Sequence, residues 1–245
     1  MARKGRARLR ALIDVVTEAR PELDAEQAIK AGRVVVDGRT LTNPASLVRR
    51  EAAITIRQEP DDALRGEAKL VAALRTFAVP VEGRVALDLG AAAGGFTRVL
   101  LRAGAIRVYA VDVGFGQLLG SLRQNPAVIN LERTNLADLS PQLVPARIDV
   151  VTADLTYVSL ARAVPQLNAR VVVAPDADLV AVIKPQFELG LRGPPTGARQ
   201  LARAVAAASA GVEHAGWKVT GTEESPVRGT RGAIEFLLHA SRQSS

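Results

Sequence analysis

Hydrophobic and polar positions form two different patterns along the chain. The first pattern covers an N-terminal module. Residues 8–20 carry apolar side chains at helical spacing, and Asp24 is placed to cap a second helix that Gly32 ends. Residues 33–41 then alternate as a strand, an Asp-Gly turn and a return strand, and residues 53–56 form a further short apolar run. Two short helices followed by small strands predict a compact α+β module.

From Gly66 onward, apolar runs alternate with helical stripes. The runs that predict strands cover residues 85–89, 108–112, 128–131, 148–154, 178–183, 217–220 and 233–239. The stripes that predict helices cover residues 69–77, 96–103, 118–124, 159–167 and 198–210. Strands separated by helices form a largely parallel, doubly wound sheet, whereas the last two strands lack an intervening helix and predict an antiparallel hairpin. Residues 58–65 have the polar composition of a linker.

The junction between the strand at 85–89 and the helix after it is rich in small residues. Gly90, Gly94 and Gly95 lie between Asp88 and the helical stripe that Phe96 opens. A turn of this kind lets the backbone approach a nucleoside cofactor, although such glycines can also serve only to relieve steric crowding. Their spacing matches neither the dinucleotide fingerprint nor a phosphate-binding loop.

Asp112 ends the next strand, and its presence favours cofactor binding over steric relief as the role of these glycines. A carboxylate at this position can accept hydrogen bonds from both hydroxyls of a cofactor ribose. Ribose recognition without a pyrophosphate cradle favours S-adenosylmethionine over NAD. We therefore predict a site for S-adenosylmethionine at this sheet edge.

Composition limits the classes of protein to which the chain can belong. Its 245 residues are 48% hydrophobic but only 3% aromatic, so the core must be built from aliphatic side chains. Cysteine is absent and there are two histidines, which excludes disulfides and thiolate metal sites and argues against any metal site. The sequence has neither an apolar run of roughly 18 residues nor an apolar signal core at its start. A cytoplasmic protein without a membrane partner is expected.

Basic charge is concentrated at the N-terminus. The net charge is +7, and residues 1–59 hold 12 basic and 8 acidic side chains, with five basic residues among the first ten. Such a basic cluster favours binding of a polyanion, most often nucleic acid, and the alternative is a solubilising tail.

Two charged residues end predicted strands at the carboxyl edge of the sheet, where ligands of this fold class bind. Asp154 ends the strand at 148–154, and Lys184 follows the strand at 178–183. A lone aspartate here is often a helix cap and a lone lysine a solvated side chain, but buried charges are costly unless paired. Their presence at one edge favours a functional pair.

The order Lys69, Asp88-x-Gly90, Asp154, Lys184 and Glu235 resembles the Lys-Asp-Lys-Glu tetrad of the FtsJ-type ribose 2′-O-methyltransferases. Local phrases are still more similar to the TlyA (hemolysin A-like) ribosomal RNA methyltransferases. These phrases lie at residues 88–97, 111–118, 131–135, 153–160, 184–188 and 225–237. Residues 28–38 resemble the alpha-L RNA-binding motif that precedes the catalytic domain in such proteins.

The resemblance implies a division into an RNA-binding domain at 1–59, a linker at 60–66 and a Rossmann-like methyltransferase domain at 67–245. It implies ribosomal RNA or a ribosomal subunit as partner, and the oligomeric state stays open. The implied cofactor contacts are Asp88, Gly90, Ala91, Gly94, Gly95, Phe96, Thr97, Asp112, Val113, Asn135 and Asp154. The basic side chains expected to bind RNA are Arg3, Lys4, Arg6, Arg8, Arg10, Lys30 and Arg33.

The tetrad suits methylation of a ribose 2′-hydroxyl, which is a poor nucleophile and needs a base. We assign that role to Lys184, since a neighbouring ammonium group and partial burial lower the pKa of a lysine. Asp154 then orients Lys184, while Lys69 and Glu235 hold the hydroxyl and the proton network. Asn135 and Asp138 follow the third strand and could contact the adenine of the cofactor. A role in a turn or a helix cap is an equal alternative for both.

Two other functions remain open at this point: a non-catalytic RNA-binding or ribosome-assembly factor, and a hemolysin-like protein. The complete tetrad argues against the first, and the lack of a spanning segment argues against the second. The loops at 64–67, 190–197 and 229–233 depart from the sequences usual in the family, and they are the loops where the RNA substrate is expected to lie.

Overall fold

The structure is a computed structural model, and it describes residues 9–21, 24–30, 32–49, 52–56 and 61–242. The chain divides into two compact units. One comprises Met1–Pro60 with Leu119–Asn125, and the other comprises Asp61–Leu118 with Pro126–Ser245. The small helix at 120–123 therefore groups with the N-terminal unit, although it follows the second strand of the large sheet along the chain.

The first unit is a small α+β fold. Strand β1 (Leu9–Ala11) leads directly into helix α1 (Leu12–Ala19), and helix α2 (Ala25–Lys30) follows. Strand β2 (Val34–Val36) pairs antiparallel with both β3 (Arg39–Thr40) and β5 (Ile54–Ile56), while β1 pairs with β4 (Leu47–Arg49). The helix expected over 8–20 thus starts later than predicted, at Leu12, because Leu9–Ala11 form a strand. That strand is too short to show the alternation typical of strands.

Local signals explain the ends of these elements. Asp24 accepts a hydrogen bond from the Gln27 amide at 2.9 Å, which caps α2 as the sequence predicts. Asp37 and Gly38 both have positive φ, 47° and 80°, as a tight hairpin between β2 and β3 requires. Leu12, Val16 and Ile29 are fully buried and form the centre of this unit's core.

The second unit is built around a seven-stranded sheet in the described part of the chain. Its strands are β6 (Val85–Leu89), β7 (Arg107–Asp112), β8 (Val128–Glu132), β9 (Ile148–Ala153), β10 (Val173–Ile183), β11 (Trp217–Glu224) and β12 (Phe236–Arg242). Its helices are α3 (Asp61–Thr76), α4 (Gly95–Arg102), α6 (Leu160–Arg170), α7 (Pro185–Glu188) and α8 (Ala198–His214), and α5 (Gly120–Arg123) groups with the first unit.

The strand order is β11-β12-β10-β9-β6-β7-β8. The five strands from β10 to β8 are parallel, whereas β12 runs antiparallel between β10 and β11. This confirms the expected doubly wound sheet with an antiparallel C-terminal pair. Both faces of β6 are buried, Ala86 against one core cluster and Leu87 against the other, as in a parallel sheet covered by helices on both sides.

Three boundaries differ from those that the pattern predicts. Helix α3 begins at Asp61, inside the stretch expected to be a linker, because polar composition does not prevent a helix from forming. Strand β10 begins at Val173, since it continues through a register shift between Val173 and Asp178. Strand β12 begins at Phe236 rather than Ala233, because 230–232 form a turn of 3-10 helix.

Candidate active site

The carboxyl ends of the parallel strands bring the tetrad residues to one edge of the sheet. Asp154 follows β9 and Lys184 follows β10, and these strands are neighbours. Glu235 comes directly before β12, whose first residue pairs with Ile183, so the antiparallel strand begins at the edge where β10 ends. Lys69 reaches the same place from α3. Residues far apart in the sequence thereby form one cluster.

The cluster is a chain of ion pairs. Lys69 Nζ lies 2.7 Å from Glu235 Oε2 and 3.1 Å from Asp154 Oδ2, and Lys184 Nζ lies 2.5 Å from Asp154 Oδ1. The exposed fractions of the side chains are 8% for Lys69, 7% for Glu235, 11% for Lys184 and 18% for Asp154. Removing one partner would leave an uncompensated charge in a poorly solvated place.

Burial and ion pairing act against each other on these side chains. Burial disfavours the carboxylate form of Asp154, but the ammonium groups of Lys184 and Lys69 outweigh it and lower the pKa of Asp154. Burial also disfavours a charged Lys69, yet Asp154 and Glu235 together raise the pKa of Lys69. Both groups are therefore held in their charged forms at neutral pH.

Two glycines make room for the cluster. A Cβ atom at Gly229 would lie 2.1 Å from Glu235 Oε1, and one at Gly90 would lie 2.6 Å from the backbone oxygen of Asp154. Gly90 also has a φ of 84°, which side-chain-bearing residues rarely adopt. The glycine turn after β6 thus allows close backbone approach, as expected from the sequence.

A cavity of about 290 Å³, which we call the Asp112 cavity, opens beside this turn. Asp112 accepts hydrogen bonds from the amides of Ala92 at 2.8 Å and Gly114 at 2.6 Å, so its carboxylate holds two loops together at the cavity wall. The lining also contains Gly90, Val113, Gln117, Leu136, Asp154, Leu155, Thr156 and Tyr157.

A second cavity, of about 200 Å³, contains the tetrad and is called the lysine cavity below. It shares Gly90, Ala92, Asp154 and Thr156 with the Asp112 cavity. Its other lining residues include Arg65, Lys69, Ala91, Gly95, Phe96, Lys184, Arg228, Thr230 and Glu235. Asp154 therefore stands between two adjoining spaces, one beside Asp112 and the other beside the lysines.

Some residues expected to contact a cofactor lie outside both linings. Asp88 is fully buried, and the hydroxyls of Thr97 and Thr152 donate to its carboxylate at 2.6 and 2.8 Å. Gly94 caps α4 in the left-handed conformation. The Asn135 side chain accepts from the Ala137 amide at 3.1 Å, so it occupies the capping role that we kept as its alternative.

Other lining residues lie within the family-like phrases at 153–160 and 225–237 but were not predicted individually as site residues. Leu155, Thr156 and Tyr157 follow Asp154 directly, so their position in the loop after β9 was the available signal. Arg228 and Thr230 come from the loop before β12. Since that loop lies far from the lysines in the sequence, the strand order alone brings it to the site.

The basic residues of the first unit are only partly described. Arg3, Lys4, Arg6 and Arg8 lie outside the described residues. Arg10 pairs with Glu18, and Lys30 lies 2.5 Å from Glu26 on the solvent-exposed side of α2.

Two kinds of feature are absent from the part of the chain that the structure describes. It contains no group of histidine, aspartate or glutamate side chains arranged to hold a metal ion. It also contains no helix that is long and apolar enough to cross a membrane.

Comparison with known proteins places these features in a wider group. Residues 64–242 match the model of the FtsJ-like methyltransferase family. The chain is 41% identical to the 16S/23S rRNA (cytidine-2′-O)-methyltransferase TlyA of Mycobacterium tuberculosis, over 92% of this chain and 86% of that protein. It is 31% identical to Hemolysin A of Brachyspira hyodysenteriae, over 91% of this chain and 94% of that protein.

Among solved structures, a protein from Streptococcus thermophilus described as a candidate hemolysin has a TM-score of 0.70 and 29% identity. The match covers 98% of this chain and 90% of that one.

Proposed function

The chain belongs to the FtsJ-like methyltransferase family, and from that premise we propose that it methylates a ribose 2′-hydroxyl of ribosomal RNA, using S-adenosylmethionine. The observation that carries this proposal is the position of Asp154, which lines both the Asp112 cavity and the lysine cavity. A methyl donor in one space and an acceptor hydroxyl in the other meet at that residue. The relative from M. tuberculosis is named for the same reaction on cytidine in ribosomal RNA.

The Asp112 cavity suits S-adenosylmethionine. Its glycine turn lets the backbone of Asp154 approach Gly90 closely, and both residues line the cavity. Asp112 keeps lone pairs for ribose hydroxyls besides the two amides that it binds. When bound, S-adenosylmethionine supplies a methyl group on a positively charged sulfur. The carboxylate of Asp154, which is held charged by both lysines, favours a positive charge in this place.

The lysine cavity then supplies the groups that a ribose hydroxyl needs. Lys69 contacts two carboxylates, and its raised pKa keeps it a proton donor. Among the described residues, Lys184 contacts the single carboxylate of Asp154. We therefore assign proton acceptance from the 2′-hydroxyl to Lys184 Nζ. Lys69 and Glu235 position the hydroxyl, and such alignment accelerates a reaction strongly.

The RNA partner is proposed to be a ribosomal subunit or free ribosomal RNA in the cytoplasm. The basic N-terminal residues, together with Arg10, Lys30 and Arg33 of the first unit, are the proposed phosphate contacts. Because such contacts release counterions, RNA affinity should fall steeply with added salt.

Comparison of ribosomal RNA from cells with and without the gene tests this function. We expect at least one 2′-O-methyl nucleotide to disappear when the gene is deleted and to return with the wild-type gene. A gene carrying Lys184→Ala should restore none of it. An unchanged methylation map after deletion would contradict the proposal and favour a non-catalytic RNA-binding role.

A further inference from the structure

The pairing between β9 and β10 ends before it reaches the two tetrad side chains that follow these strands. Its last paired residues are Ala153 and Ala181. Asp154 thus lies one residue beyond the ladder, and Lys184 lies three residues beyond it. The ladder between their own strands therefore does not fix how far apart the backbones of Asp154 and Lys184 lie.

Beyond the ladder, each of the two segments is held from a different side. The Asp154 amide donates to the Leu89 carbonyl of β6 at 3.0 Å, whereas Ile183 pairs with Phe236 of β12. The segment after β9 is thus tied to one neighbour and the segment after β10 to another. A shift of either neighbour would change the distance between Asp154 and Lys184 unless a further contact joined the two segments.

Glu188 makes such a contact. Its Oε1 accepts a hydrogen bond from the Leu160 amide at 2.9 Å, which joins the last residue of α7 to the first residue of α6. The start of a helix leaves its first amides without an internal partner, and the side chain of Ser159 at the N-cap makes no capping bond to them. A carboxylate from another element therefore takes the place of the local cap.

The contact closes a ring of chain that contains the tetrad pair. The Lys184 carbonyl accepts from the amides of Phe187 at 2.9 Å and Glu188 at 3.3 Å, so Lys184 and α7 form one turn. Residues 154–160 form the other side of the ring. The ion pair between Asp154 and Lys184 joins the two sides at one end, and the bond from Leu160 to Glu188 joins them at the other.

Helix α6 is the firmly packed side of this ring. Leu160 is 1% exposed, and the first turn of α6 lies so close to α8 that a Cβ atom at Gly211 would be 2.3 Å from that of Ala161. Since α6 is fixed there, the hydrogen bond to its first amide fixes the position of α7 and of Lys184 with it.

A glutamate is costly to keep in this place. Its Oε2 is buried and has no hydrogen-bond partner among the described residues. Burial raises the pKa of Glu188 to about 7, offset only in part by the hydrogen bond from Leu160. Buried polar atoms are normally paired, so a carboxylate kept beside the tetrad at this cost points to a role other than stability.

We propose that Glu188 is a positioning residue for methyl transfer, which sets the place of Lys184 relative to Asp154. The inference rests on the proposed function, in which Lys184 accepts the proton of the 2′-hydroxyl. Glu188 lines neither the Asp112 cavity nor the lysine cavity, so it acts through the turn that carries Lys184.

Kinetics on ribosomal subunits from cells lacking the gene test the inference. Glu188→Ala should lower kcat roughly 10- to 100-fold, because displacement of a catalytic group by about 1 Å can cost that much. KM for the subunit and the calorimetric affinity for S-adenosylmethionine should keep their wild-type values, since neither cavity loses a wall residue. Glu188→Gln should restore most of kcat, because its amide oxygen still accepts from Leu160.

Two further variants separate positioning from stability. Glu188→Met occupies a similar space without an acceptor and should lose kcat as Glu188→Ala does, so it decides the matter if the alanine variant fails to fold. Asn168→Ala is the matched control, since it removes a side-chain hydrogen bond of 2.7 Å to the Ala215 carbonyl near the other end of α6. It should lower the denaturant midpoint and leave kcat unchanged at a temperature where it is folded.

Wild-type kcat in a folded Glu188→Ala or Glu188→Met variant would overturn the inference. A loss that appears in KM instead of kcat, or a Glu188→Gln variant as slow as Glu188→Ala, would overturn it as well. If the wild-type protein methylates no subunit at all, the proposed function fails instead, and the two failures are thereby distinguished.

Discussion

Two polar clusters lie near opposite ends of the strands of one sheet, and only one of them has the surroundings of an active site. The tetrad occupies the carboxyl edge. The second cluster, called the back cluster here, consists of Arg84, Asp178, Thr220 and His239. Asp178 lies 2.6 Å from Arg84 Nη1 and 2.8 Å from His239 Nε2, and His239 Nδ1 lies 2.5 Å from Thr220 Oγ1.

The two clusters resemble each other in their electrostatics. Burial disfavours the charged form of Asp178 as it does for Asp154, and hydrogen bonds from His239 and Arg84 outweigh it, so the pKa of Asp178 is also lowered. They differ in their surroundings. The tetrad lines the lysine cavity, whereas the back-cluster residues line neither that cavity nor the Asp112 cavity, and the ring of Phe77 stacks on His239.

This contrast shows that a buried ion-pair network is not by itself a mark of catalysis. The hydroxyl, imidazole and carboxylate of the back cluster even resemble a nucleophilic triad in composition. Its place at the amino end of the parallel strands and its packing against Phe77 make it a structural link between β10, β11 and β12. Position at the carboxyl edge of the sheet, next to a cavity, distinguishes the tetrad.

Lys184→Ala gives the largest expected effect and tests the catalytic side of the comparison. Loss of a general base typically costs about 100- to 10,000-fold, so the single-turnover rate of methyl transfer should fall by that factor. Calorimetry should show nearly unchanged affinity for S-adenosylmethionine. Lys184→Arg should rescue little, because a guanidinium does not release its proton in this range. Near-normal turnover in Lys184→Ala would favour a structural role.

Asp178→Ala tests the structural side. It removes the shared partner of Arg84 and His239, and loss of one partner from a buried pair costs about 3–5 kcal/mol. We expect a large drop in the denaturant midpoint but a turnover close to wild type under conditions where the variant is folded. A folded variant that lost turnover as Lys184→Ala does would remove the distinction between the clusters.

Asp88→Asn tests a buried carboxylate that belongs to neither cluster. Burial, offset only in part by Thr97 and Thr152, raises the pKa of Asp88 from 3.8 to about 6. A raised pKa means that the folded state holds its proton longer than the unfolded chain, so stability is lost as pH rises from about 4 to 6. The variant should abolish this pH-dependent slope, which corresponds to a total loss of roughly 2–3 kcal/mol between pH 4 and 6, in denaturant titrations. An unchanged slope would refute a raised pKa.

Gly229→Ala tests how sensitive the tetrad is to small displacements. The backbone there has a φ of −72°, which alanine adopts freely, but the added Cβ would meet Glu235 Oε1 at 2.1 Å. Because misplacement by about 1 Å can cost 100-fold, we expect a loss of that order in kcat. Gly197→Ala is the matched control, since its Cβ meets only Gln200 at 3.8 Å. Equal activity of the two variants would contradict this expectation.

Asp112→Ala gives the smallest effect and separates cofactor binding from catalysis. Removal of the ribose hydrogen bonds should weaken binding of S-adenosylmethionine by about 1–3 kcal/mol, as measured by calorimetry. Thermal unfolding serves as the control, because the carboxylate also holds the Ala92 and Gly114 amides. Unchanged affinity would remove Asp112 from the cofactor site.

The parts of the molecule that the sequence predicts are those with a local signal. The alternation of apolar runs gave the parallel sheet, and the polar residues at strand ends pointed to Asp154 and Lys184 as a pair. The resemblance added Lys69 and Glu235, which no local pattern connects to them. Strand order explains this, since Glu235 reaches the site only because β12 inserts beside β10.

Other features have no local signal at all. The first strand was missed because Leu9–Ala11 is too short to interrupt a helical pattern. The back cluster was not anticipated, because its residues are joined only by tertiary packing. The sequence also left two roles open for Asn135, cofactor contact and helix cap, because an asparagine side chain serves both.

The central claim is that the tetrad methylates a ribose hydroxyl, and the position of the transferred methyl group tests it most directly. The purified protein is given isotope-labelled S-adenosylmethionine and ribosomal subunits from cells lacking the gene. The RNA is then digested to nucleosides, which are fragmented by mass spectrometry into base and sugar. We predict label in the sugar fragment of a 2′-O-methylated nucleoside, present with Asp178→Ala and absent with Lys184→Ala. Label in the base fragment, or equal labelling by Lys184→Ala, would contradict the account.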